Sequence, residues 1–327
     1  MRIHCLGGGL VGSFVTRRLV EAGFDVHLFD VVERESPATF HLGDALSSDH
    51  TQAQIIVNML PGSLGNKMTS LLKDSGQRIV DLSFSETTPD TLEDVSSTIL
   101  WDVGIAPGLS NMLVASAFRE FGSLDSVSIK VGGNPQQPDD EWSYMAPFSP
   151  HDVIAEYTRP ARVIQQGEQA EVPAMSELHS IDANGREMEA FLTDGLRSLL
   201  SLPAQKMGEY TVRWPGHIQR YQNTNLNPDE LVDAWALDPQ RSEFTWMEVC
   251  VSSGDETRTW IVEDLGKDGD SSMARTTGLV TACCVIAWID RPDMFGSGVF
   301  APEDLPDDVI QLVVEVMSAE GVSIELR

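Results

Sequence analysis

Short apolar runs alternate with amphipathic stretches along the first 120 or so residues, and this alternation predicts the fold. Residues 3–6 are a buried-strand run that breaks into glycines. Val11, Phe14, Val15, Leu19 and Ala22 then recur at helical spacing, Gly23 supplies a stop, and residues 26–30 form a second strand ending in Asp30. Residues 31–48 are less regular. Further strands are predicted over 55–59, 79–82 and 98–102, with helices over about 63–73 and from Thr88-Pro89-Asp90 onward. Strand and helix in alternation give an α/β class and a doubly wound parallel sheet.

The periodicity changes near residue 123. Val127, Ile129 and Val131 alternate with Ser126, Ser128 and Lys130, the pattern of an antiparallel strand with one wet face. Gly132-Gly133-Asn134-Pro135 predicts a polar turn. Short strands follow over 188–192, 210–214, 245–251 and 257–262, and long helices return over 271–288 and 307–317. The organisation expected is a nucleotide domain over 1–122, an inserted α+β substrate and dimerisation domain over 123–266, and C-terminal helices over 267–327 that pack back on the first domain.

The first glycine turn carries the clearest chemistry. Gly7, Gly9 and Gly12 fit G-x-G-x-x-G directly after a strand and at the start of a helix. Gly7 allows the tight turn, Gly9 close approach of a pyrophosphate, and Gly12 close helix-strand packing; Leu10 and Val11 then offer the helix's first amides to phosphate. Asp30 ends the next strand 18 residues past Gly12, where a carboxylate accepts from a ribose 2'-hydroxyl and repels a 2'-phosphate. The cofactor expected is therefore NAD rather than NADP. Asp44 and Ala45 are candidates for the adenine side. Leu60, Pro61 and Gly62 follow the third confident strand at the ligand edge of such a sheet, and Pro107 lies in a later turn near the expected nicotinamide.

Composition removes several classes. The charge is 22 minus 50, or −28, over 327 residues, which argues against nucleic acid and anionic membrane as partners. No uninterrupted apolar run reaches the ~18 residues of a bilayer span, and no export signal is evident, so a cytoplasmic location is expected. Cys5, Cys250, Cys283 and Cys284 form no CxxC, and the seven histidines are scattered without an HExxH, so no metal site is expected.

Three further strings are informative. They are Glu156-Tyr157-Thr158-Arg159-Pro160-Ala161-Arg162-Val163-Ile164, Thr193-Asp194-Gly195-Leu196-Arg197-Ser198-Leu199, and Thr211-Val212-Arg213-Trp214-Pro215-Gly216-His217. With Ala106 to Asn111 (APGLSN), Phe148-Ser149-Pro150 and Ser271-Ser272-Met273-Ala274-Arg275, they resemble the saccharopine dehydrogenase family, and within it the L-lysine 6-dehydrogenase branch. The resemblance implies a Rossmann domain with an inserted α+β domain, NAD-linked oxidation of a carbon bearing an amine, an amino-acid or amine substrate, and a homodimer. Saccharopine reductases typically carry Asp-Pro-Gly where this chain has Ala106-Pro107-Gly108, which turns the resemblance toward the lysine enzymes.

Amine oxidation sets three tasks: holding an α-carboxylate, holding the amine, and moving protons. A guanidinium suits the carboxylate, with Arg213 the first candidate and Arg159 and Arg197 its competitors. His217 is the candidate for proton transfer, or else a structural histidine in a turn. Asp102 either holds the amine or caps the following helix, and Tyr144 either lines the site or fills a core. Two other functions fit the same residues: imine reduction of the saccharopine or carboxynorspermidine type, and NAD binding without catalysis.

Overall fold

In the computed structural model, which describes residues 1–327, the chain opens with β1 (Arg2–Leu6), α1 (Leu10–Glu21), β2 (Asp25–Asp30), β3 (Thr39–Leu42), β4 (Ile55–Asn58), α2 (Gly62–Leu72), β5 (Arg78–Asp81), β6 (Thr98–Trp101) and α3 (Leu109–Phe121). The middle of the chain comprises β7 (Leu124–Pro135), α4 (Pro150–Thr158), β8 (Ala161–Gln165), β9 (Glu168–Val172), β10 (His179–Asp182), β11 (Glu187–Thr193), β12 (Ala204–Arg213), α5 (His217–Asn223), α6 (Pro228–Ala234), β13 (Glu243–Ser253) and β14 (Glu256–Asp264). It closes with α7 (Ser272–Asp290), β15 (Gly298–Phe300), α8 (Asp307–Ala319) and β16 (Ser323–Leu326).

Two compact units result. The first, Met1–Leu109 with Thr277–Val316, holds an all-parallel sheet in the order β15-β6-β5-β4-β1-β2-β3. The run β3-β2-β1-β4-β5-β6 is the strand order of a Rossmann sheet, with β15 added at its β6 edge. Its central strands are continuous apolar runs because both faces are covered. The helix expected from Thr88 is a single 3₁₀ turn, Pro89–Thr91, and Asp94 soon after takes a left-handed backbone (φ 54°) that a helix cannot continue through. The irregular stretch after Asp30 contains β3, which pairs with β2 through the register Phe29↔His41.

The second unit, Ser110–Thr276 with Met317–Arg327, holds a mixed sheet in the order β10-β11-β12-β7-β13-β14-β16, with β8 paired to β12 and to β9. Its limits differ from those expected at 122/123 and 266/267. Helix α3 clusters with the second unit, α7 divides at Thr277, and the last strand joins the edge of β14. Strand β7 is also longer than its pattern indicates, because the supposed turn at 132–135 stays in register with Glu243 to Trp246 of β13. Its glycines are there for clearance: a Cβ on Gly132 would come within 2.3 Å of the Val212 carbonyl oxygen, and one on Gly133 within 3.0 Å of Pro147. On its other side β7 runs parallel to β12, so it is a central strand and not one side of a hairpin.

Helix α7 spans 19 residues and is long and apolar enough to cross a membrane, yet 83% of its most apolar window is buried within the protein. Its span is close to the 271–288 expected from the sequence. A helix apolar on all sides is what a core position requires.

Four of the seven histidines, scattered in sequence, gather on one face of the first sheet. His4 and His27 are register partners on β1 and β2, and His41 on β3 stacks on Phe29 at 4.4 Å between centroids. His4 Nδ1 lies 2.9 Å from His50 Nδ1, His27 Nδ1 lies 2.8 Å from His41 Nε2, and His50 Nε2 donates to the Ala45 carbonyl. Burial, and then the neighbouring His50, His27, His41 and Arg2, hold His4 down at about 4; His41 is lowered by burial and by the same company. An unfolded chain takes up the His4 proton near 6.5, while the native one does not until about 4. Stability is therefore complete above pH 6.5 and falls as pH drops toward 4. His4→Asn, whose amide nitrogen reaches roughly the place of Nδ1, should reduce the fall in unfolding temperature between pH 7 and pH 5 by a few degrees. An identical fall in both proteins would show that the cluster does not govern acid lability.

Candidate active site

At the end of β1 the chain turns at Gly7, whose backbone is left-handed (φ +92°) and whose Cβ would lie 2.7 Å from the Met59 carbonyl oxygen. A Cβ on Gly12 would sit 2.0 Å from the Gly7 carbonyl oxygen, so α1 meets β1 only because that position is bare. At Gly9 a Cβ would meet nothing within 4 Å, and this residue caps α1 without a side-chain hydrogen bond. The Ser13 amide is the first to close a helical bond, onto Gly9, which leaves the preceding helical amides of Leu10, Val11 and Gly12 directed out of the N-terminus. Open space beside unpaired amides at a helix N-terminus fits a pyrophosphate, so the residues present suit a dinucleotide.

Asp30 ends β2 at the same edge. Its Oδ2 accepts from the Gly8 amide at 2.6 Å and from Arg34 Nε at 3.1 Å, and its Oδ1 accepts from the Val32 amide at 2.7 Å. Burial works against the charge, but these bonds outweigh it and hold the carboxyl below its usual range. Arg34 carried no signal in the sequence, lying in the charged stretch Glu33-Arg34-Glu35. Asp44 caps a 3₁₀ turn, accepting from the Leu46 amide at 3.0 Å, and the adjoining Ala45 is buried with its carbonyl held by His50. Leu60, Pro61 and Gly62 connect β4 to α2, with Pro61 as N-cap. Asp102 is buried just beyond β6 with a left-handed backbone (φ 59°), its amide on the Asp81 carbonyl, and Pro107 closes the following turn onto the Gly104 amide at 3.1 Å.

The second unit gathers the other candidates. Helix α4 is fixed at its start by Ser149 and Pro150 and cannot pass Pro160, which presents Tyr157 on its last turn. Strand β12 ends at Arg213, and Gly216 (φ +86°) turns the chain into α5, whose first residue is His217. Arg213 is 3% exposed, and its guanidinium donates from Nε to Tyr157 Oη at 2.8 Å, from Nη1 to the Val212 carbonyl at 2.9 Å and from Nη2 to Tyr144 Oη at 3.4 Å. It also lies 4.4 Å from the centre of the Tyr144 ring. All three acceptors are neutral and no carboxylate closes an ion pair on it. A guanidinium has five N–H donors, so donors remain for a further anion.

His217 is 2% exposed, and both of its nitrogens are engaged. The Trp142 carbonyl, 3.0 Å from Nδ1, can only accept, so Nδ1 carries the proton and Nε2 accepts from Tyr157 Oη at 3.1 Å. Burial, then the nearby Arg213, holds its pKa down at about 3. The ring expected to move protons is thus a neutral link in a chain from Arg213 through Tyr157 to the Trp142 carbonyl. Trp142, Tyr144, Tyr157, Phe191 and Trp235 pack around it as one buried cluster.

Arg159 goes elsewhere: its Nε lies 2.8 Å from Asp194 Oδ2, and Arg162 Nε donates to Oδ1 of the same buried carboxylate at 2.8 Å. Arg197 is buried with a left-handed backbone (φ 50°). An open cavity of about 440 Å³ borders His217 and Trp142, but two of the exposed charges that line it are committed, Asp139 to Arg241 and Arg220 to the Asp140 and Glu141 carbonyls. No carboxylate closes an ion pair on the buried Arg213, and Tyr157, which positions it, escaped sequence reasoning except as one letter of a longer motif.

Residues 104–227 match the family described as saccharopine dehydrogenase C-terminal domain. Apo saccharopine dehydrogenase (L-Glu forming) from Saccharomyces cerevisiae superposes with a TM-score of 0.71 at 14% identity, over 100% of this chain and 99% of that one. Likeness to diaminopimelate (DAP) dehydrogenase of C. glutamicum in complex with DAP is more distant, at a TM-score of 0.47 and 10% identity over 98% and 99% of the two chains. Aspartate dehydrogenase from Thermotoga maritima is similar at 0.42 and 9%, over 88% and 96%. The architecture, a parallel Rossmann-type sheet with a second mixed-sheet unit, is shared over the full chain with the yeast saccharopine dehydrogenase. The fold is thus similar to that of saccharopine dehydrogenase, and residues 104–227 are similar to the C-terminal domain of that family.

Asp30→Gly removes the carboxylate and releases Arg34 at the same edge. The ratio of NAD to NADP affinity, measured by calorimetric titration of both, should fall about tenfold or more, one charge-assisted bond being worth roughly 1.5–3 kcal/mol. An unchanged ratio would place the ribose elsewhere.

Proposed function

We propose that this protein is an NAD-dependent amino-acid dehydrogenase that oxidises L-lysine at C6 to 2-aminoadipate 6-semialdehyde. The observation that carries the reading is the buried Arg213, whose hydrogen bonds all go to neutral acceptors and on which no carboxylate closes an ion pair. Burying a lone guanidinium costs several kcal/mol, and neutral hydrogen bonds with a cation–π contact return only part of that. A substrate α-carboxylate supplies the missing partner, and the planar fork can take it bidentately. Tyr144 under the guanidinium, and Tyr157 backed by His217, fix the direction in which that fork points.

Bound nicotinamide supplies the acceptor for a hydride. The amine nitrogen must first lose a proton, because its lone pair is what stabilises the carbon from which hydride leaves, and a free lysine ammonium titrates near 10.4. The resulting imine takes up water and releases ammonia. Per turnover one ammonium substrate, one NAD⁺ and one water give aldehyde, ammonium ion, NADH and one proton. Support for lysine is the Ala106-Pro107-Gly108 turn, which lacks the acid that saccharopine reductases carry there. Support for the other direction, imine reduction joining lysine to a 2-oxo acid, is the family and fold match itself.

Two measurements decide. NADH formation from lysine alone is expected, whereas NADH consumption that requires lysine and 2-oxoglutarate together would favour imine reduction. Arg213→Ala should raise KM for lysine about a hundredfold or more while leaving NAD affinity unchanged, and Arg213→Lys, which keeps charge but loses the fork, should fall between. An unchanged KM in both variants would remove Arg213 from the site.

A further inference from the structure

Arg213 is aimed by Tyr144 and Tyr157, and both of those rings stand against the indole of Trp235, which none of the steps above uses. Helix α6 starts at Asn227 in a capping box with Glu230, and Leu231 and Trp235, four residues apart, both turn inward to the aromatic cluster. Trp235 is fully buried. Its ring lies 5.4 Å from Tyr144 and 5.4 Å from Trp142, both edge-on, 5.9 Å from Tyr157 and 5.7 Å from His217. The backbone ties the same parts together, since the Ala146 amide, two residues past Tyr144, donates to the Trp235 carbonyl at 2.8 Å. The indole N–H makes no hydrogen bond. An unpaired buried donor is a cost, so tryptophan stands here for the breadth of its ring, which reaches two tyrosines from different segments at once. We propose that Trp235 is a positioning residue for the substrate carboxylate, holding Tyr144 and Tyr157 and through them the direction of the Arg213 fork. The inference rests on the reading of Arg213 as the carboxylate site.

The two tyrosines are held differently. Tyr157 is fixed at its hydroxyl, which lies 2.8 Å from Arg213 Nε and 3.1 Å from His217 Nε2. Tyr144 Oη hydrogen-bonds to Arg213 alone, at 3.4 Å. Its ring is therefore placed by packing: against Trp235, against His217 at 5.0 Å, and under the guanidinium at 4.4 Å from the ring centre. With the indole cut back, the Tyr144 ring gains room and the guanidinium loses a fixed surface to lie against. A carboxylate takes two parallel N–H bonds from a guanidinium only when the two planes are aligned. A tilted fork keeps its charge and one bond and loses the other. Carboxylate binding is the same in the ground state and the transition state, so this loss falls on KM and spares kcat.

Trp235→Phe keeps a ring of smaller breadth and removes the unpaired N–H, so lost packing and a removed donor act on stability in opposite directions. KM for lysine should rise about tenfold, the cost of one charge-assisted bond, with kcat and calorimetric NAD affinity kept. Two controls separate this from a general loosening of the core. Cadaverine, which is lysine without the carboxylate, should be oxidised by the variant at the wild-type kcat/KM. Added to Arg213→Ala, Trp235→Phe should cost nothing further, because the two residues act in series. Trp235→Tyr, closer to indole in length, should recover part of the lysine KM. An unchanged lysine KM, or equal losses for lysine and cadaverine, overturns the proposal, and so does unfolding of both variants, which would assign Trp235 to the fold alone. A lysine KM that stays put in Arg213→Ala removes the carboxylate site itself, and this inference falls with it.

Discussion

A buried guanidinium on which no carboxylate closes an ion pair is the constraint around which the second unit is arranged. Arg213 at the end of β12 is held by a tyrosine from the last turn of α4, a backbone carbonyl and the face of a second tyrosine, and all of these are neutral. Such an arrangement is costly in an empty state and would be favoured by an anion, as the carboxylate site proposed for Arg213 requires. The contrast with Asp194 is instructive. There two arginines meet one buried acid, nothing remains for a ligand, and the group serves the fold. The histidine behind Tyr157 completes the logic, because a ring with both nitrogens bound fixes a hydroxyl, and a fixed hydroxyl fixes the guanidinium.

The first unit depends on bare positions in the same way. Gly7 and Gly12 are glycines because carbonyl oxygens occupy the places where their side chains would stand. The result is a helix end with open space before it. Asp30 closes the edge of that space and is paired with Arg34 four residues on, so the proposed cofactor preference would be a balance between one acid and one base.

How much of this could be read in the sequence follows from the range of the interactions. The parallel sheet was legible because strand, turn and helix signals are local and the glycine motif is short. Arg213 was legible too, since Arg-Trp-Pro-Gly-His marks a strand end and a turn. What Arg213 touches was not, because its bonds reach 56 residues back to Tyr157, and the next link reaches 60 residues forward to His217. The same limit hid the four-histidine stack, whose members come from three strands and a turn. It also hid β16, which exists because the edge of β14 offers it partners. At Gly132 and Gly133 the local signal was misleading: glycines that read as a turn are clearance for neighbours in the middle of a strand.

The most direct test of the central claim compares two amines that differ only at the group assigned to Arg213. L-lysine and its decarboxylated counterpart, cadaverine, carry the same reacting aminomethyl carbon. If a buried Arg213 binds the α-carboxylate, kcat/KM with NAD should be about a hundredfold or more lower for cadaverine, matching the roughly 3 kcal/mol expected when one partner of a buried charge pair is missing. Equal efficiencies for the two amines would contradict the account.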